Sequence, residues 1–335
     1  MPLAFLAVSL IWGSTFLGIR VAIATIPPLL MAGFRNVAAG AILYGAARAF
    51  GAAKPEPRMW WPALLTGGLM LGVGNGGISW AELEVPSGLA ALFPAAIPAW
   101  MVALEAARPG AARPSRRVLL GLVLGFLGIA AMVGPGLRPV APGLLTAVVL
   151  LLAPLCWAAG SVLAPRSKLP HSLAVTAAMQ MLAGGAGLVV VGFAAGEGPR
   201  LSLAAVSSAS AAGFLWLVLA GSVVGFSAYA YLLRHASPSR VGAYAFLNPV
   251  VALFLGWALA GEQLTWVSLA AGALVVAGAA LVTLRPRPAA RPANLRLPAD
   301  GEAPAGAVDA PPAGALEAPP ADALPSPRAP ATPDV

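Results

Sequence analysis

The segment IWGSTFLGIR, Ile11–Arg20, lies inside an apolar run that begins near Leu3. An apolar run of about 20 residues is long enough to cross a bilayer as a helix. This one also contains polar or amphipathic side chains, namely Trp12, Ser14, Thr15 and Arg20. Because lipid does not solvate such groups, the segment predicts a membrane helix with one face against protein or a cavity.

The composition of the whole chain indicates several such helices. Of its 335 residues, 59% are hydrophobic and 10% are charged, and the mean hydropathy is +0.85. Soluble domains average about 25% charged residues. The single cysteine, Cys156, excludes an intrachain disulfide. The first apolar run is longer than a signal-peptide core and has no arginine before it, so we do not expect it to be cleaved.

Ten apolar runs are long enough to span the bilayer, and turn signals rich in Pro and Gly separate them. The predicted fold is therefore an all-α membrane protein with ten transmembrane helices. The predicted spans are 3–24, 29–49, 61–81, 86–106, 118–135, 143–164, 173–194, 210–233, 239–260 and 265–284.

The basic residues are distributed unevenly between the loops that join these spans. Of the 20 Lys and Arg residues, sixteen fall on one side and only Arg138 and Arg200 on the other, while Arg20 and Arg35 lie inside spans. Cytoplasmic loops carry the excess of Lys and Arg. Both termini are therefore predicted to be cytoplasmic. The net charge of +8 reports this topology and does not indicate binding of nucleic acid.

Two halves of the chain resemble each other. Trp12 and Trp157 are separated by 145 residues, as are Arg35 and Gln180, and VPSGLAALFPAAIP (85–98) resembles SPSRVGAYAFLNP (237–249). Because each half has five spans, an odd number, the second half must enter the membrane inverted. Inverted repeats are typical of secondary transporters, whose site lies near the midplane between the repeats.

The predicted domains are a first repeat over 1–137, a second over 138–284 and a tail over 285–335. The tail contains 13 prolines and no apolar period. Such a composition predicts a disordered cytoplasmic segment whose basic beginning contacts anionic lipid.

Small residues and prolines within the spans admit two interpretations each. Gly68, Gly72 and Gly76 recur every four residues, a spacing that favours close helix packing, while Asn75 beside them needs a partner or water. Prolines occur in the middle of the fourth and ninth spans, at Pro94, Pro98 and Pro249. They indicate either structural kinks or a cavity that receives the freed carbonyl groups.

The charged side chains near one membrane face form a second candidate feature. Arg20 lies near the outer end of the first span, Arg35 about two turns into the second, and Glu82 closes the third on the same side. An arginine at the helix centre costs about 2.5–3.5 kcal/mol on insertion scales. We expect these three residues to form a gate or ion pair. Alternatively, Arg20 extends to the interface and has no partner.

Several classes of function lack the residues they need. No phosphate-binding Gly-Lys loop is present, all four aspartates lie in the tail, and His171 and His235 lie at span ends. The spans contain no Ser-His pair for hydrolysis and no cluster with metal-ligand spacing. We therefore expect no catalytic residue, no metal and no cofactor.

The order of these motifs resembles one known family. IWGSTFLGIR, PPLLMAGFRNVAAG, GVGNGGISWAELEVPSGLAAL and AYAFLNPVVALFLGWALAGEQLT resemble EamA-type members of the drug/metabolite transporter superfamily, over residues 3–284. Within it, the chain is most similar to bacterial inner-membrane exporters of amino acids and other small metabolites. One departure is that no Gly-Glu follows Pro98, whereas Glu262 follows Pro249 in the second half.

The resemblance implies ten helices in two inverted five-helix repeats and alternating access around a central cavity. It also implies that the solute is bound by residues of spans one, three, four, six, eight and nine. In this chain these are Trp12, Ser14, Thr15, Asn75, Pro98, Trp157, Tyr244 and Asn248.

We expect a secondary transporter that exports a small organic metabolite, an amino acid or a drug-like solute. A proton gradient could drive it through Glu82, but exchange and facilitated diffusion fit equally well. Import or exchange of a phosphorylated or nucleotide-linked metabolite and a membrane scaffold or channel stay open as alternatives. The sequence leaves the oligomeric state undetermined.

Overall fold

The computed structural model describes residues 1–85, 87–111, 113–133, 143–260 and 265–284, and within these ranges it contains helices and no strand. The first half contains α1 (Pro2–Ala22), α2 (Pro28–Ala49), α3 (Trp60–Gly67), α4 (Gly77–Ala81), α5 (Ser87–Ala90), α6 (Ile97–Ala106) and α7 (Arg116–Val133). The second half contains α8 (Leu144–Leu163), α9 (Leu173–Ala194), α10 (Ser208–Trp216), α11 (Ser227–His235), α12 (Pro238–Gly242), α13 (Tyr244–Ala260) and α14 (Trp266–Thr283).

Two π-helical segments each join two α-helices into one longer continuous helix. The first π segment, Gly68–Gly76, connects α3 to α4, and the second π segment, Leu217–Phe226, connects α10 to α11. Short 3₁₀ turns occupy Pro57–Met59, Phe93–Ala96, Ala164–Arg166, Gly198–Arg200 and Leu203–Ala205. π-helical turns are rare and frequently lie at functional sites. Each half of the chain has one, in its third predicted span.

Within the part of the chain that the structure describes, five helical stretches are long and apolar enough to cross a membrane. They are Pro2–Ala22, Pro28–Ala49, Leu144–Arg166, Leu173–Ala194 and Ser208–His235, with shorter apolar helices at Phe93–Ala106 and Leu269–Thr283. Large apolar side chains also cover the outside of the molecule, since Leu3 is 82% exposed and Leu144 is 83% exposed. Extensive apolar surface of this kind suits contact with lipid.

Helices of the first half pack against helices of the second half. The most extensive contacts are those of α2 with α9 and of α7 with α14. Glycines let the backbones approach in both pairs: a Cβ added to Gly185 would lie 2.9 Å from the Gly33 carbonyl oxygen, and one added to Gly278 would lie 2.6 Å from the Gly125 nitrogen. Small residues at helix contacts serve the same purpose in other membrane proteins.

The predicted packing face of Gly68, Gly72 and Gly76 is wrong for two of its three members. A Cβ added to Gly68 or Gly72 would meet no atom within 4 Å, whereas Gly76 packs against Leu188. Gly68 and Gly72 are half-buried and lie near the exposed side chains of Leu65 and Val73, so no neighbouring helix covers them.

Buried contacts bring together the turns at one end of the helices. The backbone nitrogens of Leu29 and Leu30, at the start of α2, donate to the carboxylate of Glu197 at 3.2 and 2.9 Å. Arg20 Nη1 donates to the carbonyl oxygen of Glu82 at 2.6 Å. We call this the α1–α2 end of the molecule.

The opposite end is joined by a different acidic residue. Glu105, in the last turn of α6, accepts a hydrogen bond of 3.0 Å from the backbone nitrogen of Ser239 in α12. Its other carboxylate oxygen lies 3.8 Å from Arg166. Arg234 donates to the carbonyl oxygens of Pro170 and His171 at the same end.

The fourth and ninth predicted spans are both interrupted. Between α5 and α6 the chain passes through a turn and the 3₁₀ segment that contains Pro94. In the ninth span the break lies at Ala243, between α12 and α13, and Pro249 lies within the continuous α13. In the fourth span the break therefore coincides with Pro94, whereas in the ninth span it lies six residues before Pro249, whose kink stays a prediction.

Some predictions lie outside the described residues. They are the disordered tail over 285–335, the boundary between 137 and 138, Arg138, and the partner role of Glu262. The three predicted domains thus stay predictions.

Candidate functional site

A cavity lies between the two halves, toward the α1–α2 end. Its volume is about 70 Å³, well below the roughly 300–1,000 Å³ of typical small-molecule sites. The lining comes from both halves. It consists of Trp12, Thr15, Phe16, Ile19, Arg35, Leu71, Gly74, Asn75, Ile78, Pro94, Ile97, Ala153, Pro154, Trp157, Met181, Gly221, Ser222, Phe226, Tyr244 and Asn248.

Five aromatic side chains close this cavity on the side away from the α1–α2 end. We call them the aromatic floor: Trp12, Trp157, Phe226, Tyr229 and Tyr244. The ring of Trp12 is central, since its centroid lies 5.2 Å from that of Trp157 and 5.0 Å from those of Tyr229 and Tyr244. Edge-to-face and tilted contacts at these distances are favourable. The floor presents an apolar, polarisable surface to anything in the cavity.

Trp12 is held by the second π segment. Its indole nitrogen donates to the carbonyl oxygen of Gly221 at 2.9 Å. A Cβ added to Gly225 would lie only 2.5 Å from the same nitrogen. The indole therefore fits here because residue 225 has no side chain.

Trp157 has the corresponding position against the first π segment. A Cβ added to Gly74 would lie 3.1 Å from the Trp157 ring. The Trp157 indole nitrogen donates to the Tyr229 hydroxyl at 3.0 Å, and that hydroxyl is 2.6 Å from the Ser161 hydroxyl. Each predicted repeat thus contributes a tryptophan from its first helix that packs on a glycine in the other repeat's π segment.

Arg35 reaches the cavity from α2. Its side chain is almost fully buried, with 4% exposure, and its Nε donates to the Ser222 hydroxyl at 2.8 Å. Its Nη1 is buried without a hydrogen-bond partner. Gly221 makes room for the guanidinium, because a Cβ there would lie 3.3 Å from Nη2. A buried cation normally has an anionic partner.

Two carboxamides add unsatisfied acceptors to the same cavity. The Oδ1 atoms of Asn75 and Asn248 are buried and have no hydrogen-bond partner. Asn75 belongs to the first π segment and Asn248 to α13. Most buried polar atoms in folded proteins are hydrogen-bonded. The cavity therefore offers one unpaired cation and two unpaired acceptors next to an aromatic surface.

Six of the eight residues predicted to bind solute line the cavity: Trp12, Thr15, Asn75, Trp157, Tyr244 and Asn248. Ser14 does not line it, because it donates to the Ile11 carbonyl and accepts from the Trp216 indole at 3.2 Å. An α-helix turns about 100° per residue, so Ser14 lies on the opposite face of α1 from Trp12, whereas Thr15 returns to the same side.

Pro98 is also outside the lining. It is buried against α12, where a Cβ added to Gly242 would lie 3.3 Å from the Pro98 Cα. The chain changes from a 3₁₀ helix to an α-helix at Ala96–Ile97. Because a 3₁₀ helix has about 3.0 residues per turn, the four-residue spacing places Pro94 and Pro98 on different faces.

The predicted gate residues fall into two places. Arg20 and Glu82 are in contact, but through the Glu82 carbonyl oxygen. Both carboxylate oxygens of Glu82 are buried and have no hydrogen-bond partner. Arg35 lies with the cavity residues instead. The predicted ion pair between Arg20 and the Glu82 carboxylate is not formed in this conformation.

Twelve of the twenty lining residues were not singled out from the sequence, among them Pro154, Met181, Ser222 and Phe226. Pro154 carries a visible signal, since it is a proline within a predicted span, like Pro94. Ser222 and Phe226 carry none, because the irregular π segment determines which of its residues face inward. Among the residues described, no group of His, Cys, Asp or Glu is arranged to hold a metal ion.

A helical chain with lipid-compatible surfaces and a buried polar-aromatic cavity between its halves is the architecture of a membrane transporter. Comparison with known proteins agrees. The model of the EamA-like transporter family matches residues 1–134 and 144–284. The chain therefore belongs to the EamA-like transporter family, and it is a transporter and not an enzyme.

Its relatives include bacterial inner-membrane proteins. It is 37% identical over 285 residues to the "Uncharacterized inner membrane transporter YedA" of Escherichia coli K12, with 84% of this chain and 90% of that protein covered. It is 27% identical over 282 residues to the "Probable amino-acid metabolite efflux pump" of Salmonella typhimurium LT2, with 82% and 91% covered. These relatives and the apolar helices identify an integral inner-membrane protein.

A protein of known crystal structure has the same fold. The two structures are similar with a TM-score of 0.68 at 21% sequence identity, over 84% of this chain and 95% of the other. At this identity the likeness extends to the fold alone.

Proposed function

We propose that the protein is a secondary transporter that exports a small organic metabolite across the inner membrane by alternating access. The observation that carries this proposal is the cavity between the halves. Its floor contains equivalent tryptophans, Trp12 and Trp157, each packed on the opposite repeat's π segment. A site between two repeats can be exposed to either side when one repeat rocks against the other.

The proposed topology has ten spans in two inverted five-helix repeats, with both termini in the cytoplasm. The uneven distribution of Lys and Arg supports the orientation. The pairing of α2 with α9 and of α7 with α14 supports the repeat relationship, because each pair joins corresponding spans of the two halves. In this orientation the α1–α2 end faces the periplasm.

Export is the proposed direction. The relatives from Salmonella typhimurium and Escherichia coli K12 that carry the name "Probable amino-acid metabolite efflux pump" are similar over nearly the full helical part of the chain. Small metabolites, amino acids among them, are therefore the proposed solute class. The proposed binding residues are those of the predicted set that line the cavity.

Glu82 is the proposed site of proton coupling. It follows the predicted span 61–81 and is fully buried. Burial raises the pKa of its carboxyl well above the usual value, although the nearby charge of Arg20 lowers it. A carboxyl in this setting changes charge nearer to physiological pH than an exposed one. Arg20, beside it, is proposed to help close the α1–α2 end.

Import of a phosphorylated or nucleotide-linked metabolite is less well supported. Within the described lining of the cavity, Arg35 is the only cationic side chain. A phosphate monoester carries about two negative charges near neutral pH. One arginine does not balance that charge.

Cysteine labelling tests alternating access. In a Cys156→Ser background, Val8→Cys reports on the side of the aromatic floor away from the cavity, and Ile78→Cys reports on the cavity. Both residues are buried, with 0% and 6% exposure. We expect a solute that is transported to change the two labelling rates in opposite directions. A solute-independent rate at both positions, or labelling of both together, indicates a channel or scaffold.

A further inference from the structure

The cavity contains a charge that no described neighbour neutralises. Arg35 is buried, Nη1 has no hydrogen-bond partner, and its one side-chain bond is to the neutral Ser222 hydroxyl. No Asp or Glu is among the described lining residues. Removing a cation from water without an anionic partner is costly. A bound anion would remove this cost.

We propose that the transported solute is a monocarboxylate and that Arg35 is its carboxylate ligand. The inference rests on the proposed transport function and names the substrate class of that site. A guanidinium presents paired N–H donors in a planar fork that matches the two oxygens of a carboxylate. The bond from Nε to Ser222 fixes the plane of this fork, so Ser222 acts as a positioning residue.

Charge balance favours a carboxylate over a phosphate ester. One guanidinium neutralises one negative charge, whereas a phosphate monoester brings about 1.5 to 2. The described lining offers no second cation for the remainder. A single carboxylate leaves the occupied cavity neutral.

The rest of the cavity indicates what else the solute carries. The aromatic floor suits an apolar or aromatic body, since Trp12 and Tyr244 are both in the lining. The unpaired Oδ1 atoms of Asn75 and Asn248 need donors. A hydroxyl or amino group on the solute would supply one, and an unfilled buried acceptor would otherwise weaken binding. The inferred class is therefore an apolar monocarboxylate with at least one O–H or N–H donor.

Binding to the purified full-length protein tests this inference. The probes are 3-phenyllactate and 2-hydroxy-4-methylpentanoate, each compared with its own primary amide, which keeps the shape and the hydroxyl donor but lacks the charge. Dissociation constants come from ligand-induced shifts of thermal unfolding. We expect each carboxylate to bind about tenfold more tightly than its amide, or better, because a hydrogen bond to a charged group is the stronger kind.

Variants separate a ligand role for Arg35 from a structural one. Arg35→Gln is expected to abolish the preference for carboxylate and leave amide binding unchanged. Arg35→Lys is expected to restore part of the preference. Ser222→Ala keeps the charge and is expected to weaken carboxylate binding alone, so it tests the inference even if Arg35→Gln fails to fold. Arg58→Gln, at an exposed arginine outside the cavity, is the matched control and should keep the preference.

Three results overturn the inference: amides that bind as tightly as carboxylates, a preference that persists in Arg35→Gln, or phenyl phosphate that binds more tightly than 3-phenyllactate. The inference is also overturned if neither 3-phenyllactate nor 2-hydroxy-4-methylpentanoate binds. Counterflow in vesicles separates this inference from the transport proposal. Transport of the amides without carboxylate preference rejects only the carboxylate inference. Arg35-dependent binding without transport of any probe rejects only the transport function.

Discussion

The indole nitrogen of Trp12 donates a 2.9 Å hydrogen bond to the carbonyl oxygen of Gly221, 209 residues further along the chain. This bond joins the first helix of one half to the π segment of the other. It is possible only because Gly225 leaves space for the ring. Any motion that opens the floor of the cavity must break this contact or carry both partners together.

Gly225→Ala is therefore expected to impair folding and transport. The added Cβ would lie 2.5 Å from the Trp12 indole nitrogen, and overpacking of this kind costs about 1–3 kcal/mol. Thermal unfolding in detergent and transport rate in vesicles are the measurements. Gly72→Ala is the matched control, because it lies in the other π segment with no atom within 4 Å of the added carbon. Equal losses in the two variants would contradict this explanation.

Tyr229→Phe is expected to lower stability by removing a buried hydroxyl. That hydroxyl accepts a hydrogen bond from the Trp157 indole and forms a second one with the Ser161 hydroxyl. An indole N–H left unsatisfied in a buried site costs about 1–3 kcal/mol. Tyr231→Phe is the control, since Tyr231 stacks on His235 at the exposed end of α11. The idea fails if Tyr231→Phe lowers the unfolding temperature as much as Tyr229→Phe.

Glu82→Gln is expected to uncouple transport from the proton gradient. The pKa of Glu82 is raised by burial, so in the wild type we expect gradient-driven transport to fall as the pH rises through that raised value. The amide cannot titrate, so the variant should retain solute exchange and lose this pH dependence. Exchange and gradient-driven transport are measured in the same vesicles.

Glu84→Gln provides the comparison for that experiment. Glu84 is exposed and accepts from the backbone nitrogen of Gly143 at 3.0 Å. It should leave the pH profile unchanged. A Glu82→Gln protein that still accumulates solute against a gradient, with the wild-type pH profile, would remove Glu82 from coupling.

Glu197→Ala is expected to destabilise the α1–α2 end. Its carboxylate accepts from the first two free backbone nitrogens of α2, at Leu29 and Leu30. Loss of a helix cap costs about 0.5–2 kcal/mol. Here the two amides that would lose their acceptor are buried. Unfolding temperature and hydrogen exchange at Leu30 measure the effect. Glu56→Ala, whose carboxylate makes a solvent-exposed contact with Arg58, should change neither.

Apolar run length predicted an all-helical membrane chain, and Trp12 and Trp157, predicted from the repeat, both line the cavity. Thr15 was predicted to line the cavity, and it does. Ser14 was also predicted to line it, but the rotation of the helix places Ser14 on the face of α1 opposite Trp12. Arg35 was interpreted as a gate from its depth alone. Its direction toward Ser222 depends on the partner helix, which no local pattern in α2 indicates.

Tertiary packing accounts for the remaining differences. The four-residue spacing of Gly68 and Gly72 predicts a helix contact, but no atom lies within 4 Å of a Cβ added at either position. Ser222 and Phe226 lie in the second π segment and line the cavity. Because a π segment does not follow the α-helical turn, the directions of its side chains cannot be obtained from α-helical spacing.

The cap that Glu197 provides for α2 has a consequence for biosynthesis. Glu197 follows Leu29 by 168 residues, and chains elongate at about 5–20 residues per second. Leu29 and Leu30 are therefore synthesised about 8–34 seconds before Glu197, the acceptor of their amides. During that interval the newly inserted α2 must find substitute acceptors in water, lipid headgroups or the insertion machinery.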